Sequence, residues 1–108
     1  MSALPDITAA EFEAEILRSE KPVLIDFYGT HCSPCRRMLP VLEEIAAERA
    51  DKIRVVKINA HEQSEVAVRF RIGSVPNFLL IRGGEVVGQR IGLTPKRDLL
   101  EWLDSTVA

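Results

Sequence analysis

The chain of 108 residues is long enough for one hydrophobic core, and we expect a single domain over residues 1–108. Its hydrophobic fraction of 46% and charged fraction of 28% are those of a globular protein, which argues against disorder. The net charge of −2 favours no nucleic-acid partner, and no apolar run is long enough to cross a membrane.

The first predicted element is an amphipathic helix. Thr8 and Glu11 have the spacing of a capping box, which predicts a helix that begins here and continues through about Arg18. Phe12 and Ile16 lie four positions apart and are expected to form its buried stripe. The residues before this helix lack the basic stretch and the long apolar segment of a signal peptide, so we expect a cytoplasmic protein in a reducing compartment.

A buried strand and a longer helix are predicted next. Residues 23–28 are apolar except for Asp26, as expected for a central strand that is covered on both faces. Residues 29–33 predict a turn, and Pro34 suits the first turn of the following helix, where its missing N–H group would have no partner. Pro40 is expected to kink this helix.

The second half of the chain alternates strands and helices. Its patterns predict strands over residues 53–58, 78–81 and 86–91 and a short helix over residues 65–70. Gly83 and Gly84 predict a tight hairpin between the last two strands, and Thr94 with Pro95 predicts the start of a closing helix. The order of elements indicates an α/β fold, in which helices cover both faces of a mixed sheet.

Cys32 and Cys35 are the strongest chemical signal, and the chain contains no other cysteine. They flank Ser33 and Pro34 at the start of the predicted helix, where the first backbone N–H groups lack partners and favour an anion. A thiolate at Cys32 would be stabilised there, so that the pKa of Cys32 falls and its sulfur becomes nucleophilic near neutral pH. Cys35 follows about one helical turn later, so its sulfur can attack a mixed disulfide held on Cys32.

Two other interpretations of this pair remain open from the spacing. The cysteines could be inert core residues, or they could join His31 and His61 in a zinc site. Simultaneous ligation by the adjacent His31 and Cys32 is awkward, and one chain supplies too few cysteines for an iron–sulfur cluster. We therefore expect no metal ion at this site.

Asp26 is a second chemical signal, because a carboxylate is costly to bury in an apolar strand. Burial raises the pKa of a carboxyl group, and a raised pKa makes the group a proton acceptor near neutral pH. The alternative is a structural role, in which Asp26 lies at a strand end and is solvated or paired with Lys57. Tyr28, at the end of the same strand, is expected to belong to the core.

Nearly the whole chain resembles the thioredoxin family. The matching segments are Val23–Tyr28, 32–36, 40–46, 55–59, 72–76 and 83–87. The resemblance implies the thioredoxin fold, with a central mixed sheet of four to five strands and about four flanking helices. It also implies a thiol–disulfide oxidoreductase with protein-disulfide reductase activity, no cofactor besides a redox-active Cys32–Cys35 disulfide, and the role of an electron carrier.

The resemblance also implies roles for individual residues. Cys32 would be the attacking thiol and Cys35 the resolving thiol, while Asp26 would accept the proton of Cys35 and Lys57 would tune the charge of Asp26. Pro76 stands where the family carries a cis proline that faces the cysteines, although a trans proline is the default expectation from sequence.

A substrate groove is expected beside the cysteines. Val75, Pro76 and Gly92 would line it, and backbone groups next to a proline that donates no hydrogen bond would be free to pair with a substrate peptide. The alternative for Gly92 is a simple turn glycine.

The sequence departs from the family pattern at three positions. The usual Trp-Cys-Gly-Pro-Cys motif here has His31 and Ser33, and Asn77 replaces the threonine usual after the cis proline. A cationic His31 would favour the Cys32 thiolate and make the dithiol more oxidising, and Ser33 could add a weak hydrogen bond with the same effect. The alternative is a solvated loop histidine without effect.

The expected partners follow from the resemblance as well. They are disulfide-containing protein substrates and a flavoprotein thioredoxin reductase as electron donor, and we expect a monomer. Two other functions stay open: a binding module that docks on a larger enzyme with incidental thiols, and a specialised, more oxidising disulfide exchanger.

Overall fold

A four-stranded mixed sheet forms the centre of the protein. The structure is a computed structural model, and it describes residues 3–107. The strands are β1 (Val23–Tyr28), β2 (Arg54–Asn59), β3 (Asn77–Arg82) and β4 (Glu85–Ile91). Their order is β2-β1-β3-β4, with β1 parallel to β2 and antiparallel to β3, and with β3 antiparallel to β4. This sheet confirms the predicted α/β architecture with four strands.

Helices cover both faces of the sheet, as predicted. They are α1 (Ser33–Glu48), α2 (Ser64–Arg69) and α3 (Lys96–Val107). One core lies between the sheet and the helices α1 and α3, and includes Leu24, Met38, Leu42, Phe78 and Leu99. The other core lies on the opposite face with α2 and the N-terminal segment, and includes Phe12, Ile16, Ile25, Phe27 and Val66. Among residues 3–107, no helix is long and apolar enough to cross a membrane.

Strand alternation places Asp26 and Lys57 on the α1 side of the sheet. Leu24 belongs to the core under α1, whereas Ile25 and Phe27 belong to the opposite core. Because successive side chains of a strand point to opposite faces, Asp26 shares the face of Leu24. Lys57 is its in-register partner on β2 and lies on the same face, which brings both charges to the end of the sheet where α1 begins.

The first helical segment differs from the prediction. A 3-10 turn over Ala9–Glu11 is followed by a π-helical turn over Glu13–Leu17, in place of one regular helix. The capping contact is present, since the backbone N–H of Thr8 donates to Glu11 Oε1 at 3.0 Å. Phe12 and Ile16 are buried as predicted, so burial of this stripe, more than a regular hydrogen-bond ladder, holds the segment.

Two turns show which local predictions hold. Gly83 and Gly84 both have positive φ, 60° and 81°, as in the type I′ turn that joins many two-residue hairpins. The helix α3 begins at Lys96, one residue later than predicted from Thr94 as cap and Pro95 as first residue. Thr94 instead donates its hydroxyl hydrogen to the Gly92 carbonyl at 3.0 Å. The helix α1 runs through Pro40.

The N-terminal segment adds a short parallel contact to β2. The N–H of Lys57 donates to the Pro5 carbonyl and the N–H of Ile7 donates to the Lys57 carbonyl, both at 2.9 Å. These bonds pair Asp6 with Lys57 at the outer edge of β2. Leu4 and Ile7 are buried on either side of Asp6, so the segment is fixed by its own apolar residues.

Candidate active site

The two cysteines lie at the beginning of α1 and form a disulfide with Cα atoms 5.2 Å apart. Cys32 is the N-cap of α1, and its Sγ accepts a hydrogen bond from the backbone N–H of Cys35 at 3.2 Å. Pro34 occupies the first turn, where it removes an N–H group that would lack an intrahelical partner. The helix start therefore directs a backbone donor at the sulfur of Cys32, which favours its thiolate.

The two cysteines differ in how far they are buried. Cys32 is half-buried, while Cys35 is only 3% exposed. Ser33 and His31 beside them are exposed. Because a nucleophile has to reach an external disulfide, this difference favours Cys32 as the point of attack.

Val75 lies beside Cys32, and the next residue, Pro76, is hydrogen-bonded through its carbonyl to Gly92. The Val75–Pro76 peptide bond is cis, and the Val75 carbonyl oxygen lies 3.9 Å from Cys32 Sγ. The N–H of Gly92 donates to the Pro76 carbonyl at 2.8 Å, and Gly92 has a φ of 90°, which a side chain would strain. Both the turn role of Gly92 and its place next to the proline loop are thus present.

Asp26 is completely buried, which excludes the solvated strand-end alternative. Neither of its carboxylate oxygens has a hydrogen-bond partner within residues 3–107. Burial raises the pKa of Asp26 to about 7, with a smaller lowering by Lys57 and a smaller increase from Asp6. A carboxyl group with this pKa exchanges its proton at neutral pH.

A cleft of about 380 Å³ connects the charged residues to the buried cysteine. Cys35, Lys57, Tyr28 and Asp6 are among the residues that line it. The hydroxyl of Tyr28 donates to Asp6 Oδ2 at 2.6 Å, and Lys57 Nζ lies 5.5 Å from the centroid of the Tyr28 ring. Cys35 thus borders a polar cleft whose lining residues do not include Cys32.

Comparison with known proteins shows the same relationship over almost the full chain. The Thioredoxin family model matches residues 3–105. The chain belongs to the thioredoxin family. It is 40% identical to "Thioredoxin 1" of Nostoc over 96% of this chain and 97% of that protein. It is 37% identical to "Thioredoxin" of Rickettsia bellii, over 94% and 97%, and 37% identical to "Thioredoxin C-2" of Corynebacterium nephridii, over 99% and 100%.

Membership of the thioredoxin family and the bonded cysteines together identify Cys32 and Cys35 as the redox dithiol of this chain. The zinc interpretation gains no support, since residues 3–107 contain no group of three His, Cys, Asp or Glu side chains that could hold a metal ion. His61 is exposed in the turn before α2, and it lines a shallow pocket with Gly29 and Val75.

The residue after the cis proline differs from the usual threonine of thioredoxins and has a local role in this sheet. Asn77 is 1% exposed, and its Oδ1 accepts a hydrogen bond from Gln89 Nε2 at 3.0 Å. This bond joins β3 to β4 at the residue that directly follows Pro76. Asn77 therefore ties the loop to the edge strand through its side chain.

Sequence reasoning missed two members of this site. Tyr28 is half-buried and lines the cleft, so the expectation that it belongs to the core was wrong. Asp6 was not predicted, because residues 5–7 and their parallel partner β2 are far apart in the sequence. The only sequence signal was the pair of apolar residues Leu4 and Ile7 around an acidic residue.

Proposed function

We propose that the chain is a protein-disulfide reductase in which Cys32 attacks and Cys35 resolves. The observation that carries this assignment is the unequal burial of two bonded cysteines at the start of α1. The half-buried Cys32 receives the backbone N–H of Cys35, whereas Cys35 lies below it beside the charged cleft. The family supports the class of reaction, and this geometry supports the assignment of attack to Cys32 and of resolution to Cys35.

The reaction transfers two electrons from the dithiol to the substrate. The Cys32 thiolate attacks one sulfur of a substrate disulfide, so a mixed disulfide forms and the other substrate sulfur leaves as a thiolate. Cys35 then loses its proton and attacks Cys32 Sγ. The Cys32–Cys35 disulfide forms, and the second substrate sulfur leaves. The substrate is reduced and the protein is oxidised to the form seen in the structure.

Asp26 is the proton acceptor in the second step of this proposal. A carboxylate with a pKa of about 7 takes a proton from a thiol more readily than an ordinary aspartate does. Lys57 is the in-register partner of Asp26 and lines the same cleft as Cys35, so we place the path of the proton from Cys35 to Asp26 on the Lys57 side of this cleft. Lys57 also lowers the pKa of Asp26 and so limits how firmly the proton is held.

Substrate peptides would lie across Val75, Pro76 and Gly92. The Val75 carbonyl is 3.9 Å from Cys32 Sγ, and it can accept a hydrogen bond from an extended peptide that places its disulfide at Cys32. His31 and Ser33 flank this surface and are exposed to the same substrate.

We also infer a cytoplasmic monomer that receives its electrons from a flavoprotein thioredoxin reductase. The support is the resemblance to proteins named thioredoxin over almost their whole length. A reducing compartment is consistent with a dithiol that must be restored after every cycle.

An insulin-reduction assay tests the proposal. The protein should accelerate precipitation of the insulin B chain with dithiothreitol as donor, and with NADPH and a suitable flavoprotein reductase. The matched control is the double variant Cys32→Ser/Cys35→Ser, which should give the rate of the donor alone. Equal rates for the wild type and the double variant would refute the proposal, and retention of biological function by that variant would favour a binding module.

A more oxidising exchanger is the second candidate, and the exposed His31 next to Cys32 is the observation that favours it. His31→Trp is expected to raise the Cys32 pKa, by less than about one unit because an exposed charge pair interacts by only about 1 kcal/mol in water. The equilibrium potential against glutathione should become more negative in the variant. Thiolate absorbance at varied pH measures the Cys32 pKa. An unchanged value in His31→Trp would remove this candidate.

A further inference from the structure

We propose that Asp6 is a positioning residue for the proton transfer, and that it acts by setting the charge balance of Lys57 and Asp26. Asp6 is held for this purpose by the hydroxyl of Tyr28. The inference rests on the proposed function of Asp26 as proton acceptor for Cys35, and it adds a residue from outside the sheet to that step.

The first observation is a row of alternating charges across three adjacent backbone segments. Asp26 on β1 is the in-register partner of Lys57 on β2, and Lys57 pairs in turn with Asp6 of the N-terminal segment. Both pairings are parallel, so the three side chains share one face of the sheet. Lys57 therefore lies between two carboxylates, one buried and one exposed.

The second observation is the contact that holds Asp6 at this place. Tyr28 Oη donates to Asp6 Oδ2 at 2.6 Å, and this distance is short, as expected when the acceptor is ionised. Lys57 Nζ lies over the ring of the same tyrosine, 5.5 Å from its centroid. Tyr28 thus contacts Asp6 through its hydroxyl and Lys57 through its ring. Tyr28 also lies on the same strand as Asp26.

The third observation is that the segment is held by contacts other than the Asp6 carboxylate. The backbone of Pro5 and Ile7 bonds to Lys57, and Leu4 and Ile7 are buried. Asp6 itself is exposed on the cleft side. We therefore expect a substitution that removes the Asp6 charge to leave this segment in place.

The effect of Asp6 on Asp26 has a definite sign. Lys57 favours the ionised form of Asp26, and Asp6 opposes this effect because a second negative charge disfavours ionisation. Asp6 thereby keeps Asp26 a stronger proton acceptor than Lys57 alone would allow. The other ionisable or charged side chains that line the cleft are those of Arg36, Tyr28 and Glu62, while Cys35 also lines it but does not titrate in the disulfide form.

The test is the titration of the Asp26 carboxyl group, followed by carbon NMR in the disulfide form. In Asp6→Asn the midpoint should fall by roughly 0.3 to 0.6 pH units at low salt, for a charge two strand spacings away in a medium between protein surface and water. Asparagine still accepts a hydrogen bond from Tyr28, so the substitution removes mainly the charge. The shift should shrink in 1 M salt, because exposed charges are screened.

Two matched variants separate charge from structure. Asp6→Glu keeps the charge and should keep most of the wild-type midpoint. Asp51→Asn removes an exposed carboxylate that precedes the N-terminal end of β2, whereas Lys57 is near the C-terminal end of that strand. This control should leave the midpoint unchanged. Tyr28→Phe keeps the ring under Lys57 but releases Asp6, and should move the midpoint in the direction of Asp6→Asn.

The possible outcomes separate the role of Asp6 from the role of Asp26 as proton acceptor. The midpoint of Asp26 is read without any turnover, so an unchanged midpoint in Asp6→Asn overturns the inference whatever the activity. A lowered midpoint, with the pH profile of mixed-disulfide resolution displaced by the same amount, supports it. A lowered midpoint with an undisplaced profile overturns the role of Asp26 as acceptor and the inference with it.

Discussion

Cys35→Ser is expected to accumulate mixed disulfides with its substrate proteins, whereas Cys32→Ser is expected to accumulate none. The half-buried Cys32 can still attack when Cys35 is absent, but no second thiol then releases the substrate. In Cys32→Ser the remaining thiol is only 3% exposed, and an external disulfide does not reach it. Non-reducing electrophoresis of each variant after incubation with oxidised insulin measures the adducts.

The difference between the two variants should be nearly complete. The Cys32→Ser/Cys35→Ser double variant is the blank, and reduction with excess dithiothreitol should remove every adduct from Cys35→Ser. Equal trapping by the two single variants would contradict the assignment of roles, while trapping by Cys32→Ser alone would reverse it.

Asp26→Asn is expected to remove most of the pH dependence of stability between about pH 4 and pH 7. The pKa of Asp26 is raised from 3.8 to about 7, so the folded state binds more protons than the unfolded state in this range. The free energy of unfolding of the wild type therefore falls as the pH rises through this window. Three pKa units correspond to about 4 kcal/mol, which Asp26→Asn should recover above pH 7.

Urea unfolding at pH 4.5, 6 and 8 measures this difference. Asparagine is as poorly partnered in this site as protonated aspartate, so the two proteins should be similar near pH 4.5 and diverge as the pH rises. Asp51→Asn, at an exposed position, should follow the wild type throughout. A constant difference at all three pH values would show that the Asp26 carboxyl group is not the origin of the pH dependence.

The same variant should be slower in the resolution step than in the first attack. Stopped-flow kinetics with a substrate that reports both steps separates the two rates, and an unchanged resolution rate would contradict the role proposed for Asp26. If Asp26→Asn raises the free energy of unfolding and also slows resolution, the wild-type protein retains a destabilising carboxyl group because its reaction needs it.

Much of this architecture could be predicted from the sequence, because its signals are local. The strand β1 was predicted with its observed bounds, since a run of this length that is apolar except for Asp26 fits a central strand. The position of Cys32 at the start of α1 followed from Pro34 and the preceding turn. The glycine pair of the hairpin was equally diagnostic, because positive φ at two successive positions needs glycine or asparagine.

What the sequence could not show depends on contacts between distant segments. The bond between Tyr28 and Asp6 spans 22 positions and arises only after residues 5–7 lie along β2. The turn geometry around Phe12 was also missed, because helix patterns record which residues are buried and not how each turn is hydrogen-bonded. The cis form of the Pro76 bond came from the family resemblance, since Val75 and Pro76 alone favour trans.

The strand order leaves β4 at one rim of the sheet, where among residues 3–107 it is paired only with β3. An open strand of this kind is a template on which another copy of the chain can stack and aggregate. Glu85 and Arg90 place charges along that rim, and the register irregularity near Leu80 and Ile81 disturbs the regular spacing that a stacking partner would need. The edge of β4 thus stays open to solvent, while its charges and its irregular pairing with β3 disfavour self-association.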